Sequence, residues 1–200
     1  MTDFVYLASQ SPRRSQLLTQ MGVRHELLLP GGDEDSEGLE VILKNEAPSS
    51  YVKRVTQLKL DAALLRLKKR DLPMAPIICS DTTVALGRTI YGKPQDAHDA
   101  CRMLSELAGK THRVLTAVAV GTARKRVQAM SESRVRFSPL SAAQIKGYVA
   151  SGEPMGKAGA YAVQGRAASF IAHISGSYSG IMGLPVFETA ALLRSINLRF

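Results

Sequence analysis

The sequence predicts an α/β fold in which helices flank a mixed β-sheet. Short apolar runs typical of strands alternate along the chain with segments whose apolar residues recur at helical spacing. In the middle of the chain, the runs at 84–86 and 89–91 are separated only by Gly87 and Arg88, which predicts a β-hairpin. Because strands of a hairpin pair antiparallel, we expect a mixed sheet and not a purely parallel one.

The first predicted elements are a strand at 4–8 and a helix that begins at Pro12. Ser11 is a good N-cap residue, and Pro12 suits the first helical position. Arg13 and Arg14 follow in the first turn, where the helix dipole is positive and each cation costs roughly 0.3–1 kcal/mol. Two arginines there, beside free N–H groups and hydroxyls, predict a phosphate site. The alternative is that both arginines point into solvent, and the local sequence favours neither.

Turn residues and apolar spacing predict the remaining elements. Residues that can cap or start further helices are Ser50, Asp96, Ser141 and Pro185. The first two of these helices are expected at 51–69 and 97–107, the second closed by Gly109. The other predicted strands lie at 26–29, 77–79, 113–120, 128–137 and 169–174, and 176–183 is predicted to be a loop.

Length and composition narrow the class of protein. A chain of 200 residues fits a single domain over 1–200. The net charge of +9 favours anionic partners, but only 6% of residues are aromatic, so a nucleic-acid surface based on base stacking is not expected. There is no run of about 18 apolar residues and no signal-peptide pattern. With Cys79 and Cys101 expected to be free thiols, we predict a cytoplasmic protein that does not enter a membrane.

Asp81 is the leading candidate for a catalytic residue. It follows a short predicted strand, 77–79, and ligands of open α/β sheets bind at the carboxyl ends of strands. Capping a turn is its alternative role. The acidic stretch that includes Asp33 and Glu34 offers further carboxylates, and such oxygen ligands suit Mg²⁺ or Mn²⁺. Taken alone, that stretch is better described as a solvated run of charges.

Two lysines lie in glycine-rich surroundings that would let a phosphate approach. Lys93 stands between Gly92 and Pro94, and Lys157 follows Gly156. Each lysine could instead be an ordinary surface residue.

Together these segments resemble the Maf family of nucleoside triphosphate pyrophosphatases, over nearly the whole chain. The motifs that carry the resemblance, in order, are LASQSPRR (7–14), SDT (80–82), GKP (92–94), LAGKTH (107–112), GEP (152–154), KAGAY (157–161), QG (164–165), GSY (176–178) and GLP (183–185). The resemblance implies an elongated, two-lobed α/β fold with a central cleft, and a homodimer. It also implies hydrolysis of a nucleoside triphosphate between the α- and β-phosphates, with Mg²⁺, Mn²⁺ or Co²⁺ as cofactor.

The resemblance also implies roles for individual residues. Asp81 is the catalytic acidic residue, and the metal ligands are Glu34, Asp33 and Asp81. The phosphate ligands are Ser9, Arg14, Lys59, Lys93 and Lys157, and the base is recognised by Arg13, Thr82 and Gln164. Thr82 is typical of the branch that acts on dTTP and UTP, because the sister branch, which acts on a methylated guanine nucleotide, has Gln there.

Two positions depart from the family pattern. Gly156 stands where an Asp usually precedes the lysine, and Asp33 stands where Glu is frequent. The activity on the methylated guanine nucleotide, a nucleotide-binding regulator of cell division without turnover, and a nucleic-acid binder remain alternative functions at this stage.

Overall fold

The computed structural model describes residues 3–32, 34–35, 38–122 and 124–200, and within them the strands form one mixed sheet. The strands are β1 (Val5–Leu7), β2 (His25–Leu27), β3 (Ile77–Leu86), β4 (Thr89–Tyr91), β5 (Thr111–Gly121), β6 (Arg126–Phe137) and β7 (Ile171–Ser175). Their order is β2-β1-β3-β5-β6-β7, with β4 paired to β3. β1 is parallel to β2 and β3, and the other pairs are antiparallel. The predicted α/β class with a mixed sheet is confirmed.

Helices follow or precede most of these strands. They are α1 (Pro12–Gln20), α2 (Pro48–Lys69), α3 (Ala97–Leu107), α4 (Ala142–Val149), α5 (Tyr178–Met182) and α6 (Val186–Ser195), with short 3₁₀ helices at Gly38–Glu40, Ala158–Ala160 and Arg166–Phe170. The predicted caps Asp96 and Ser141 are confirmed, since each side chain accepts a hydrogen bond from a backbone N–H in the first turn of its helix. None of the helices in the described part of the chain has the length and hydropathy needed to cross a bilayer.

The two faces of the sheet are covered by different helices. Successive residues of a strand point to opposite faces, so neighbours along β5 belong to different apolar clusters. Ala119 packs with Leu60 and Leu67 of α2. Val118 packs instead with residues of α1 and α6, among them Leu193. The sheet is therefore buried on both sides, with α2 on one face and α1 and α6 on the other.

The sheet has a gap along one edge of β3. On one side, β3 pairs with β5 from Ile77 to Ala85. On the other side, β1 pairs only with Ile77 and Ile78, and β4 only with residues 84–86. Between them, residues 79–83 have an edge to which no strand of the described residues is paired. This gap positions the cleft described below, whereas the elongated, two-lobed shape stays a prediction.

Asp81 does not follow the end of a strand, as the sequence predicted, but lies in the middle of one. The predicted strand 77–79 and the first strand of the predicted hairpin are a single strand, β3. The polar residues from Ser80 to Thr83 continue this strand because β5 pairs with them throughout. The catalytic candidate thus lines a cleft at the gap in the sheet and does not lie at a strand terminus.

Three other predicted elements were wrong in detail. α2 begins at Pro48 and not after Ser50, since proline is favoured in the first helical turn. The predicted loop 176–183 contains α5, whose N-cap Ser177 accepts from the N–H of Gly180. The first residues of the predicted strand 169–174 belong to a 3₁₀ helix, and β7 begins at Ile171.

Candidate active site

A cleft of about 420 Å³ lies at the gap in the sheet. It collects most of the site residues that the sequence predicted: Ser9, Arg13, Arg14, Lys59, Asp81, Thr82, Lys93, Lys157 and Gln164. They come from the β1–α1 turn, α2, β3, the loop after β4 and the segment before β7. Residues that are distant in the sequence therefore converge on one cavity.

The β1–α1 turn presents its arginines to the cleft and not to bulk solvent. Arg14 donates from Nε to the carbonyl oxygen of Gly183 at 2.8 Å and from Nη1 to Ser9 Oγ at 2.9 Å. Arg13 donates from Nε to the carbonyl oxygen of Met182 at 3.3 Å. Burial lowers the pKa of both guanidinium groups, which means that their charges lack full compensation. Two fixed cations in such a setting favour a bound anion.

A network of two carboxylates and two lysines also lines the cleft. The ammonium of Lys59 donates to Asp81 Oδ1 at 2.6 Å and to Glu40 Oε1 at 2.7 Å. Lys93 donates to Glu40 Oε2 at 3.1 Å. Burial would raise the pKa of Glu40, but the two lysines outweigh it and hold that pKa below its ordinary value. Glu40 is therefore charged at neutral pH, and the ammonium of Lys59 connects its carboxylate to that of Asp81.

The two acidic residues predicted to bind metal beside Asp81 have different positions. Asp33 lies outside the described residues. Glu34 is not among the described residues that line the cleft. Its carboxylate accepts from Arg66 Nε at 2.8 Å and Nη2 at 2.6 Å, and these hydrogen bonds lower its pKa. Hydrogen bonds from Arg66 thus attach the Glu34 carboxylate to α2. The structure does not bring Glu34 to Asp81.

Glu40 is the cleft residue that sequence reasoning missed. It ends the 3₁₀ helix Gly38–Glu40, which Tyr51 of α2 holds by donating from its hydroxyl to the carbonyl oxygen of Glu40 at 2.9 Å. The acidic stretch contains several carboxylates of similar local context, so no local pattern ranks Glu40 above Glu34. The only sequence signal is its nearness to the start of α2, which carries Lys59.

The remaining predicted residues, Thr82, Gln164 and Lys157, also line the cleft. Thr82 Oγ1 lies 3.0 Å from Thr116 Oγ1 of β5. Gln164 is exposed at the rim. Lys157 donates to the carbonyl oxygen of Met155 at 3.1 Å, and burial, followed by the charge of Arg13, lowers its pKa. This part of the cleft therefore combines uncharged hydrogen-bonding groups with one further cation.

The departure at Gly156 has a backbone explanation. Its φ of +70° lies in the left-handed region, which glycine adopts without strain. Glycine at position 156 thus fits the left-handed backbone conformation found there, and Lys157 still lines the cleft.

The donor set of the cleft suits a hard divalent cation. Asp81 and Glu40 already share one positive charge, the ammonium of Lys59. The described residues contain no group of three or more acidic, His or Cys side chains that converges on one point. Mg²⁺, however, is commonly held by one or two carboxylates together with phosphate oxygens of the substrate. The two carboxylates fit that mode of binding.

The fold and the cleft define an α/β protein in which arginines and lysines line one cavity beside a carboxylate, an arrangement of charges that suits a polyanion. The sequence pattern of the Maf-like protein family matches residues 4–196. The chain belongs to the Maf family.

Several relatives are similar to the chain over its full length. It is 73% identical over 199 residues to the dTTP/UTP pyrophosphatase of Albidiferax ferrireducens, covering 100% of both chains. It is 68% identical to the dTTP/UTP pyrophosphatase of a Polaromonas species, covering 98% of both. It is 60% identical to the dTTP/UTP pyrophosphatase of Cupriavidus metallidurans, covering 100% of both.

Proposed function

We propose that this protein hydrolyses dTTP and UTP between the α- and β-phosphates, giving the nucleoside monophosphate and pyrophosphate. One observation carries the proposal: Asp81 is held by Lys59 inside a cleft whose other charged groups include Arg13, Arg14 and Lys157. The names of full-length relatives with 60–73% identity support the same reaction and the same two substrates.

The charges of the cleft match those of the substrate. A triphosphate carries about four negative charges at neutral pH, which repel an incoming nucleophile. Arg14, Lys93 and Lys157 neutralise this charge, and Lys59 can leave its carboxylate partners for a phosphate oxygen. Ser9, which accepts from Arg14 Nη1, is positioned to donate its hydroxyl proton to a phosphate oxygen. These groups bind the triphosphate and stabilise the charge that develops on the leaving pyrophosphate.

Asp81 acts as the general base in this proposal. Its carboxylate takes a proton from a water molecule whose oxygen attacks the α-phosphorus. The bond from that phosphorus to the bridging oxygen breaks, and pyrophosphate leaves with the electron pair. General-base catalysis of this kind contributes about 10²–10⁴-fold in rate. No covalent intermediate is required.

The base lies against the side of the cleft formed by Arg13, Thr82 and Gln164. The guanidinium and amide groups supply donors for the carbonyl oxygens of uracil and thymine, and the hydroxyl of Thr82 contacts the edge of the ring. These three groups line the same cavity as the lysines. They can therefore select the base while the lysines bind the phosphates.

We propose Asp81 and Glu40 as the residues that hold the divalent cation, Mg²⁺, Mn²⁺ or Co²⁺. When bound, such a cation neutralises phosphate charge and lowers the pKa of a coordinated water. Glu34 is less suited to this role because both of its oxygens accept from Arg66.

A panel of nucleotides with product identification tests the proposed function. Purified protein is incubated with Mg²⁺ and dTTP, UTP, dCTP, dGTP or 7-methyl-GTP, and products are separated by ion-exchange chromatography. We expect dTMP or UMP and pyrophosphate from the first two. Nucleotide binding without turnover would indicate a regulator, and preference for 7-methyl-GTP would indicate the sister activity. Either result would contradict the proposal.

Replacement of the proposed base provides the matched test of mechanism. Asp81→Asn should reduce turnover by at least about 10²-fold while folding and nucleotide binding persist. Asp71→Asn makes the same chemical change at an exposed position and should leave turnover unchanged. Retention of more than about a tenth of the activity in Asp81→Asn would remove Asp81 from the general-base role.

We also propose that the protein is a cytoplasmic homodimer. The family resemblance supports a homodimer, and so does the highly exposed ring of Phe187 on α6. The cytoplasmic location is supported by the free thiols of Cys79 and Cys101, which are typical of a reducing compartment. Light scattering during gel filtration should give twice the chain mass of 21.6 kDa. Cell fractionation should find the protein with cytoplasmic markers, and a monomer mass or a membrane fraction would contradict the respective proposal.

A further inference from the structure

Thr82 of the cleft has a hydroxyl partner directly across the sheet. Thr82 of β3 and Thr116 of β5 stand opposite each other in the antiparallel register, so their side chains project from the same face. The two Oγ1 atoms are 3.0 Å apart. Thr116 is fully buried, whereas Thr82 is half-buried and lines the cleft. The pair therefore connects the interior of the sheet with the surface that meets the ligand.

The direction of the hydrogen bond between the two threonines is fixed by a third group. Thr116 Oγ1 lies 2.7 Å from the carbonyl oxygen of Gly180. A carbonyl only accepts, so the single hydroxyl proton of Thr116 is donated to it. Between the threonines, Thr82 must then be the donor. With its only proton directed towards Thr116, Thr82 can offer the cleft nothing but lone pairs.

The carbonyl that fixes this direction is itself held in place. The N–H of Gly180 donates to Ser177 Oγ at 3.0 Å, and the N–H of Gly183 donates to the carbonyl oxygen of Gly180 at 3.0 Å. Nearby, the carbonyl oxygen of Gly183 accepts from Arg14 Nε and lies 2.9 Å from Ser80 Oγ. The segment 180–183 is thus attached to β3 and α1, so the hydroxyl of Thr116 has a constant acceptor.

We propose that Thr116 is a positioning residue that makes Thr82 an acceptor for the N3–H group of thymine and uracil. The inference rests on the proposed function and deepens it, because it names the atom by which the base is chosen. Thymine and uracil present an N–H donor at N3, whereas cytosine presents an unprotonated nitrogen that only accepts. When cytosine binds, its N3 atom and Thr82 Oγ1 are both acceptors, so neither receives a hydrogen bond in this half-buried site. The affinity for cytosine nucleotides is therefore lower.

The test is the ratio of kcat/KM for dTTP to that for dCTP, measured in matched variants. Thr116→Val keeps the shape of the side chain but removes the hydroxyl, so Thr82 is free to rotate and donate to cytosine N3. We expect the ratio to fall about tenfold. Thr116→Ser restores the hydroxyl and should restore the ratio. An unchanged ratio in Thr116→Val, or an equal fall in Thr116→Ser, would overturn the inference.

A double variant separates action through Thr82 from a general loss of structure. In a Thr82→Val background the acceptor is absent, so adding Thr116→Val should leave the dTTP-to-dCTP ratio unchanged. A further change of the ratio in that background would contradict the proposed route. Thr116→Val is expected to fold, because the carbonyl oxygen of Gly180 keeps its hydrogen bond from Gly183.

A substrate analogue provides a test that needs only the wild-type protein. In 3-methyluridine triphosphate a methyl group replaces the N3 proton while both carbonyl groups are kept, so its kcat/KM should be at least about tenfold below that of UTP. Equal values would overturn the inference. If the wild-type protein binds nucleotides without turnover, the proposed function fails, and the same ratios measured as dissociation constants then decide on Thr116 independently.

Discussion

Replacement of Lys59 by Met should destabilise the protein, because this lysine separates two carboxylates. Its ammonium contacts both Asp81 and Glu40, whose side chains are only 10% and 26% exposed. Breaking a fully buried ion pair typically costs about 3–5 kcal/mol. Here Lys93 still contacts Glu40 and the cleft admits water, so we expect a loss of about 2–3 kcal/mol in the free energy of unfolding at pH 7.

The destabilisation should depend on pH with a defined sign. In the wild-type protein the pKa of Glu40 is lowered, so the stability that its charged form contributes is present above the pKa of the unfolded chain, about 4.3, and is lost as the pH falls through the folded value. Without the ammonium of Lys59, Glu40 takes up its proton at higher pH, which relieves the repulsion between Glu40 and Asp81. The difference between wild-type protein and Lys59→Met should therefore narrow between pH 7 and pH 4.

Urea unfolding followed by circular dichroism at pH 7 and pH 4 measures both effects. Lys53→Met is the matched control, since it makes the same change at an exposed position on the same helix. The control should lie within about 0.5 kcal/mol of the wild-type protein. A Lys59→Met variant as stable as Lys53→Met at pH 7, or a difference that grows on acidification, would refute the reasoning.

Three further predictions concern the two glutamates, the two arginines and a buried histidine. Glu40→Gln should raise the Mg²⁺ concentration needed for turnover. Glu34→Gln should lower thermal stability and leave that concentration unchanged. The same Mg²⁺ requirement in both variants would be inconsistent with this assignment. Arg13→Gln should change the relative kcat/KM values of the nucleotides, and Arg14→Gln should lower all of them alike, so identical substrate profiles would reject the division of roles. Burial lowers the pKa of His112 to about 4, and since the unfolded chain binds that proton near pH 6.5, wild-type stability should fall by about 3 kcal/mol between pH 6.5 and pH 4. His112→Gln should flatten that pH profile in thermal unfolding, and an unchanged slope would exclude the histidine as its cause.

Local sequence signals predicted the starts of α3 and α4 but not the continuity of β3. Asp96 and Ser141 were identified as caps because capping depends on a side chain and a backbone N–H within one turn. The strand through Asp81 was not recognised, since its polar residues are held by pairing with β5, more than thirty residues further along the chain. α5 was also missed because a helix of five residues gives no periodic pattern.

The site could be predicted as a set of residues but not as a network of contacts. The clustered arginines and the motif around Asp81 identified positions that do line the cleft. The sequence did not rank Glu40 above Glu34, because the choice depends on which lysine or arginine of α2 faces each carboxylate. The acceptor character of Thr82 was likewise inaccessible, since a proton direction follows only from three atoms brought together by the fold.

The position of water attack tests the central claim most directly. Wild-type protein turns over dTTP in water enriched in ¹⁸O, and the products are examined by mass spectrometry. The account predicts that the label enters the phosphate of dTMP and is absent from pyrophosphate, because the water oxygen attacks the α-phosphorus. Label in pyrophosphate, or formation of dTDP and labelled inorganic phosphate, would contradict it.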